Sequence, residues 1–412
     1  MSGSVARVSY TCLISEGARV RDDLQDLVDD VSRLLGAPAT LEDADFTLLA
    51  FCAHVTGSDD AGPDEVAAGM DAVRTRSILT RRSSAATRRW FEDFGIASAT
   101  GPLRTPADPA AGVLTRLCLP VRHDARTHGY LWLLDEGRTD VTDRTAPALR
   151  RAEELALEAG RLLADRGDRD ADLGRALHEC LTAPAPDRAR RTLERALGAG
   201  APLTLVALHP GPGRLPAGWS LPGAGAVSTV LPGAGDDGAE VVAVLVPLPR
   251  PADLRPAGAL TAAALGGLPA GSTAGVAAAR SGCGELAAQW REAGTAARVA
   301  AVVDRFSPVA HWTELGVWRQ VAALPPPDAA LDGLLADPLL AGTAEVYLDC
   351  AGSVQRAAAA LCVHRQTLYY RLARVAQLTG LDLTDGEHRL LLHAGLKSAR
   401  LARGLVPRPP GG

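Results

Sequence analysis

The sequence predicts a multidomain α+β chain: an α+β domain on an antiparallel sheet, then an α/β sandwich, then an all-helical C-terminal domain. Three observations lead there. The 412 residues exceed one ordinary domain. Two stretches interrupt the apolar patterning, "DRGDRDADLG" at Asp165–Gly174 and "LPPPDAALDG" at Leu324–Gly333. The second carries three consecutive prolines, which no helix interior or central strand accepts. Finally, the patterning itself changes, from mixed helix and strand, through alternation of the two, to helical spacing alone. The implied domains are residues 1–170, 171–323 and 328–405.

In the first domain, "LQDLVDDVSRLLG" places apolar residues at 24, 27, 28, 31, 34 and 35, the spacing of a helix that Gly36 would end. "ATLEDADFTLLAFC", "VLTRLCLPVR" and "THGYLWLLDE" read as strands, and Leu149–Arg166 as a second long amphipathic helix. Helices flanking such strands give an antiparallel α+β domain. The second domain alternates. "LGRALHECLTA", "ARRTLERAL" and "ELAAQWREAGTAARVAA" are helical, while "PLTLVALHP", "EVVAVLVPL", "STAGVAAAR" and "SPVAHW" are strands, the pattern of a ferredoxin-like α/β sandwich. In the third domain, Thr343 starts "AEVYLDC", Ser353 starts "VQRAAAAL", a helix runs from Arg365 to Thr379 with Gly380 behind it, and Asp385 precedes "EHRLLLHAGLKSARLAR". Each start and stop is a residue type that caps helices.

Composition narrows the function. Hydrophobic residues make up 47% and aromatics only 4%, so the cores should be Leu, Val and Ala. Nothing reads as a membrane span or a signal peptide, so a cytoplasmic protein is expected. Seven scattered cysteines without a C-x-x-C pair read as buried free thiols. Lys397 is the only lysine and asparagine is absent, a mark of GC-rich coding. The net charge of −5 is uneven: from Ser353 onward nine Lys/Arg face three Asp/Glu, which leaves −11 on the remainder. A basic module on an acidic body suits a polyanionic partner at one end.

No catalytic constellation emerges, so the chain is read as a non-enzyme without cofactor or metal. "GAGDDG" at Gly233–Gly238 matches G-x-G-x-x-G but runs into a strand rather than a helix, so it is a hairpin turn. Asp236, Asp237 and Glu240 are then turn carboxylates. His123 with His128 and His388 with His393 lack the i, i+4 spacing of a zinc helix, and no G-x-S-x-G elbow is present.

The stretch "SVQRAAAALCVHRQTLYYRL" carries three arginines and no acid. Val354, Ala357, Ala358 and Leu361 share one face of its first helix, and the two alanines let a second helix cross closely. "CVH" is a turn of helix-turn-helix length. On the second helix Leu368, Leu372 and Val375 share the buried face. The candidate DNA-binding set is His364, Arg365, Gln366, Thr367, Tyr369, Tyr370, Arg371 and Arg374, with His364 and Arg365 at the end of a recognition helix that reaches base edges.

These residues, through "VHRQTLYYRL", "LTGLDL" and the closing helix, closely resemble the C-terminal domain of PucR/CdaR-type bacterial transcription regulators, with a helix-turn-helix similar to that of the Fis nucleoid protein. The resemblance implies DNA-facing roles for His364, Arg365, Thr367, Tyr369 and Tyr370. Cys362 stands where many such motifs have glycine. The middle domain is similar to the degenerate GGDEF-like domain of these regulators, without the GGDEF signature. The first, with "LCLPVRHDARTHGYLWLLDEG", looks like a GAF-like sensor domain. The implied partners are an operator with two half-sites, a small-molecule effector and a second copy of the chain, at least as a dimer. The amphipathic helices around Leu149–Arg166 and Leu173–Leu181 are candidate dimer contacts, although a helix packed on its own sheet presents the same pattern. The alternative is a nucleotide-binding signalling module whose last domain contacts proteins.

Overall fold

The computed structural model describes residues 5–52, 71–109, 112–211, 213–217, 219–222, 225–233 and 239–403, with the backbone alone for 5–19, 85 and 403. The chain divides into two compact units, Met1–Gly174 and Arg175–Gly412. No helix among the described residues is long and apolar enough to cross a membrane.

In the first unit, helix α1 (Val5–Leu35) extends well ahead of the predicted segment and ends at Gly36, φ +59°. Strands β1 (Ala39–Asp43), β2 (Leu48–Cys52), β3 (Leu103–Thr105), β4 (Arg116–His123) and β5 (Arg126–Leu133) form an antiparallel sheet of order β2-β1-β5-β4-β3. Helices α2 (Ala72–Thr80) and α3 (Ala85–Asp93) lie between β2 and β3 in the chain; the sequence pattern had not revealed them. Helix α4 runs from Pro147 to Thr182. The polar break expected at Asp165–Gly174 is therefore helical. It holds no proline, and its charges fall at helical spacing, as with Arg166 and Asp170, 3.7 Å apart at i, i+4.

The period of two splits this sheet into unlike faces. Ala39, Leu41, Leu117, Leu119, Val121, Leu131 and Leu133 pack against Leu24, Val28 and Val31 of α1 and Leu149, Ala152, Ala156 and Ala159 of α4. Gly160 permits that approach: a Cβ there would lie 2.2 Å from the Arg122 carbonyl oxygen. The other face carries Tyr130, Trp132 and Cys118, packed with Phe46, Phe91 and Ile96. The expected Leu/Val/Ala core is thus only half the account here, because the scarce aromatics are gathered on one face.

In the second unit, α5 (Asp187–Leu197) leads into β6 (Pro202–His209), β7 (Val227–Pro232) and β8 (Glu240–Pro247). Then follow α6 (Arg255–Gly266), β9 (Thr273–Val276), β10 (Arg280–Ser281), α7 (Leu286–Val302) and β11 (Val309–His311). The order β11-β9-β6-β8-β7 contains the ferredoxin arrangement, with α6 as the crossover from β8 to β9. The crossover from β6 to β7 holds no helix among the described residues. Leu215, Trp219 and Leu221 of that connection pack on Val206, Leu208, Val242 and Val244 instead. On the opposite face α7 lies so close that a Cβ on Gly275 would fall 2.0 Å from the Ala293 carbonyl oxygen. Strand β7 and the alanine-rich α6 were not foreseen. Of "GAGDDG", Asp236 and Asp237 lie outside the described residues, and Glu240 accepts from Leu215 N at 2.8 Å.

The C-terminal part of this unit is helical: α8 (Pro338–Asp349), α9 (Val354–Ala360), α10 (Arg365–Thr379) and α11 (Gly386–Arg403). Leu331, Leu334, Leu340, Ala344, Leu348, Val375, Leu392 and Leu396 form its core. Helix α8 starts earlier than expected, and Thr343 is inside it. The true cap is Asp337, whose Oδ1 accepts from Leu339 N and Leu340 N, both at 3.1 Å. Pro338 fills the first-turn position, where a missing N–H is harmless.

Candidate nucleic-acid interface

Helix α9 starts at Ser353, whose Oγ accepts from Arg356 N at 3.4 Å. Its buried residues are Ala357 and Ala358, and these small side chains let α10 cross against them. Leu368 and Leu372 of α10 fill the space, with Val346, Tyr347, Leu361 and Val363 at the margin. The turn passes through Cys362 at φ +52°, a left-handed conformation that disfavours a Cβ. The Cys362 side chain is exposed. Of the cysteines whose side chains are described, only Cys118, Cys180 and Cys283 are buried, so the expectation of buried thiols throughout fails.

His364 is the N-cap of α10, its Nδ1 accepting from Gln366 N at 3.3 Å. The ring therefore has a structural role at the mouth of the helix as well as an exposed edge. Helix α10 spans Arg365–Thr379 and closes at Gly380, φ +69°, the bounds the sequence predicted. Leu368, Leu372 and Val375 are buried. Arg365, Gln366, Thr367, Tyr369, Tyr370 and Arg374 are exposed. Tyr370 at 76% is among the most exposed large hydrophobic residues of the described part of the chain, which no packing role explains. Arg371 differs from its neighbours: it is half-buried, with Nη1 3.4 Å from Thr343 Oγ1 on α8. Arg374 Nη1 donates to Gln377 Oε1 at 3.2 Å.

No acid occupies the first turn of α10, so its amide dipoles and Arg365 point positive potential the same way. The paired histidines are engaged elsewhere. His388 Nδ1 accepts from Asp382 N at 3.0 Å, and His393 Nε2 lies 2.8 Å from Asp349 Oδ1.

A second polar cluster was not seen in the sequence. On the aromatic face of the first sheet, Glu42, Asp71, Arg74, Arg116 and Thr105 are buried. Arg116 Nη2 lies 2.6 Å from Asp71 Oδ2, and Thr105 stands directly across from Arg116 in the β3–β4 register. Glu42 accepts from Ser77 Oγ at 2.5 Å, Ser83 Oγ at 2.9 Å and Trp132 Nε1 at 3.1 Å. Burial nonetheless pushes its carboxyl above the ordinary range, those donors only partly opposing it. Burial also lowers the Arg74 guanidinium to about 10, and neighbouring Arg116 adds to that. Arg74 Nε, Arg116 Nε and Thr105 Oγ1 have no hydrogen-bond partner among the described residues. The available signal was charge at strand positions pointing away from the leucines, in "ATLED" and "RLCLPV".

Residues 340–398 match the family model described as the PucR C-terminal helix-turn-helix domain. A carbohydrate diacid regulator of Escherichia coli (strain K12) is 55% identical over 38 residues, 9% of this chain and 10% of that protein. An uncharacterized protein of Mycobacterium tuberculosis (strain ATCC 25618 / H37Rv) is 36% identical over 66 residues, 16% of each. The chain therefore spans no more than about a sixth of the length of these relatives. A solved structure, a regulator of polyketide synthase expression from Bifidobacterium adolescentis, is similar over 57% of this chain and 99% of that one. Its identity is 19% and its TM-score 0.29, too low to carry a fold argument.

Proposed function

Taking residues 340–398 as a PucR C-terminal helix-turn-helix domain, we propose that the chain is a sequence-specific DNA-binding transcription regulator of the PucR/CdaR type. One observation carries this reading. Helix α10 buries Leu368, Leu372 and Val375 while Arg365, Gln366, Thr367, Tyr369, Tyr370 and Arg374 face solvent. In the major groove such a face supplies base-edge contacts near its N-terminus and phosphate contacts further along. His364 holds the helix start, and Arg371 fixes α10 against α8 more than it reaches for DNA.

A single helix-turn-helix covers only a few base pairs, so the working form in this reading is a dimer on two half-sites. The first unit is the sensing region. Its polar sheet face, with two buried guanidinium groups whose Nε atoms have no partner among the described residues and a Glu42 held toward its neutral form, suits a small anionic effector. No chemical step is assigned to either unit, and the site of action is the cytoplasm.

Fluorescence anisotropy with duplex DNA from upstream of the gene, against a scrambled duplex of equal composition, tests the proposal. Preference for the upstream duplex that survives rising salt is the expected result. Equal and salt-labile binding to both, or none, would overturn it.

A further inference from the structure

The closing helix α11 has two differently committed halves. Its first half belongs to the helical core through Leu392 and Leu396, packed with Leu340, Ala344 and Val375. Its second half belongs to the sheet layer. Leu401 is buried with Ala296, Val299 and Ala300 of α7 and with Leu315, Trp318 and Val321 beyond β11. Arg400 Nε donates to the Val302 carbonyl at the last turn of α7, 2.8 Å away, where a cation also meets the negative end of the helix dipole. Ser398 Oγ donates to the Pro325 carbonyl at 3.1 Å, so the proline segment is tied down as well.

The two halves are stitched where they meet. Lys397 Nζ lies 2.9 Å from Asp349 Oδ1 and 3.5 Å from Glu345 Oε1, both on α8, and 5.1 Å from the centre of the Trp318 ring. Glu345 Oε1 also takes Arg400 Nη1 at 3.4 Å. The lone lysine of the chain is thus nearly buried between the helix that supports α10 and an aromatic ring of the sheet layer.

We propose that α11 is a shared strut that makes the helix-turn-helix and the α7 layer one cooperative unit, with Lys397 and Arg400 as its positioning residues. The recognition helix then has no independent folding equilibrium. A change at the end of α7 reaches it through Arg400 and Glu345 to α8, and from α8 through Val375 and Arg371 to α10. The inference concerns the folded chain alone and stands apart from whether α10 binds DNA.

Native-state hydrogen–deuterium exchange on the full chain tests it, since amides that open together report one cooperative unit. Leu401→Ala alters only the sheet-side contact. Its expected effect is exchange roughly 30-fold faster or more in α8 and α10 as well as in α7, the equilibrium equivalent of truncating a buried leucine. Arg400→Met, which keeps the aliphatic stem, should speed the same three helices together by a smaller factor. It serves as the readout should Leu401→Ala not fold. Acceleration confined to α7, the Trp318–Val321 turn and the last turn of α11, with α8 and α10 unchanged in either variant, would overturn the proposal.

Discussion

Arg116 Nη2 stands 2.6 Å from Asp71 Oδ2, with both side chains almost wholly removed from solvent. The same carboxylate accepts from Arg74 N at 2.7 Å, which caps α2, and from Leu114 N at 3.0 Å, which fixes the approach to β4. One side chain thus starts a helix, places a strand and balances a buried cation. Asp71 is consequently the joint on which the polar face of the first sheet is assembled.

Removing its partner should therefore be costly. Arg116→Met leaves the buried Asp71 carboxylate without its ion-pair partner, and breaking a buried pair from one side costs about 3–5 kcal/mol. Urea unfolding followed by tryptophan fluorescence, to which Trp132 on the same face contributes, should show that loss. A midpoint within error of the parent would mean that the pair contributes little.

The second unit should weaken in mild acid. Burial, reinforced by Arg298, pushes the His209 imidazole from 6.5 down to about 4. The fold thus holds it neutral where the unfolded chain takes up a proton. The contribution is complete above pH 6.5 and is lost as the pH falls toward 4. Between pH 7 and 5 this amounts to a loss on the order of 2 kcal/mol. His209→Leu should remove most of that slope in urea midpoints taken at the two pH values; an unchanged slope would assign it to other groups.

The recognition helix was legible to the residue because every level of signal agreed there: Ser353 as a cap, the "CVH" turn, alanines at the crossing, leucines at 368 and 372, and Gly380 at the end; the capping role of His364 was not among those signals. Elsewhere single signals misled. A polar stretch without proline, Asp165–Gly174, is a solvated helix, since charge alone does not break one. Thr343, a residue type that caps helices, lies inside α8, whose cap is Asp337. The Glu42, Asp71, Arg74 and Arg116 cluster draws on β1, α2 and β4. Sequence separation hides such a cluster, because only the strand register and the docking of α2 bring its members together.

Cys362 supplies a local test of the turn. Its φ of +52° costs a residue with a Cβ about 1–2 kcal/mol, and glycine carries no such penalty. Cys362→Gly should raise the stability of the helical region by about 1 kcal/mol, once the greater freedom of glycine in the unfolded chain is set against the gain. Thermal unfolding under reducing conditions measures it. A lower melting temperature would show that the exposed thiol, whose Sγ lies 3.7 Å from the Ala359 carbonyl, contributes more than the strain removes.

If α10 reads DNA as proposed, Arg365 and Arg374 should make two different kinds of contact. Arg365 opens α10 and is exposed, where a guanidinium reaches guanine O6 and N7 together. Arg365→Ala should cost about 1–3 kcal/mol on the preferred duplex and relax selection at one base pair per half-site. Arg374 lies more than two turns further on, exposed beside Gln377, where a groove-bound helix has moved toward the phosphates. Arg374→Ala should weaken preferred and scrambled DNA alike and reduce the salt slope by about one unit per site. Neither side chain belongs to the Leu368, Leu372 and Val375 face, so both variants should stay folded by circular dichroism. Anisotropy titrations at several salt concentrations on both duplexes distinguish the two effects. Equal losses on the two duplexes for Arg365→Ala, together with altered base preference for Arg374→Ala, would mean that α10 enters the groove by its other end.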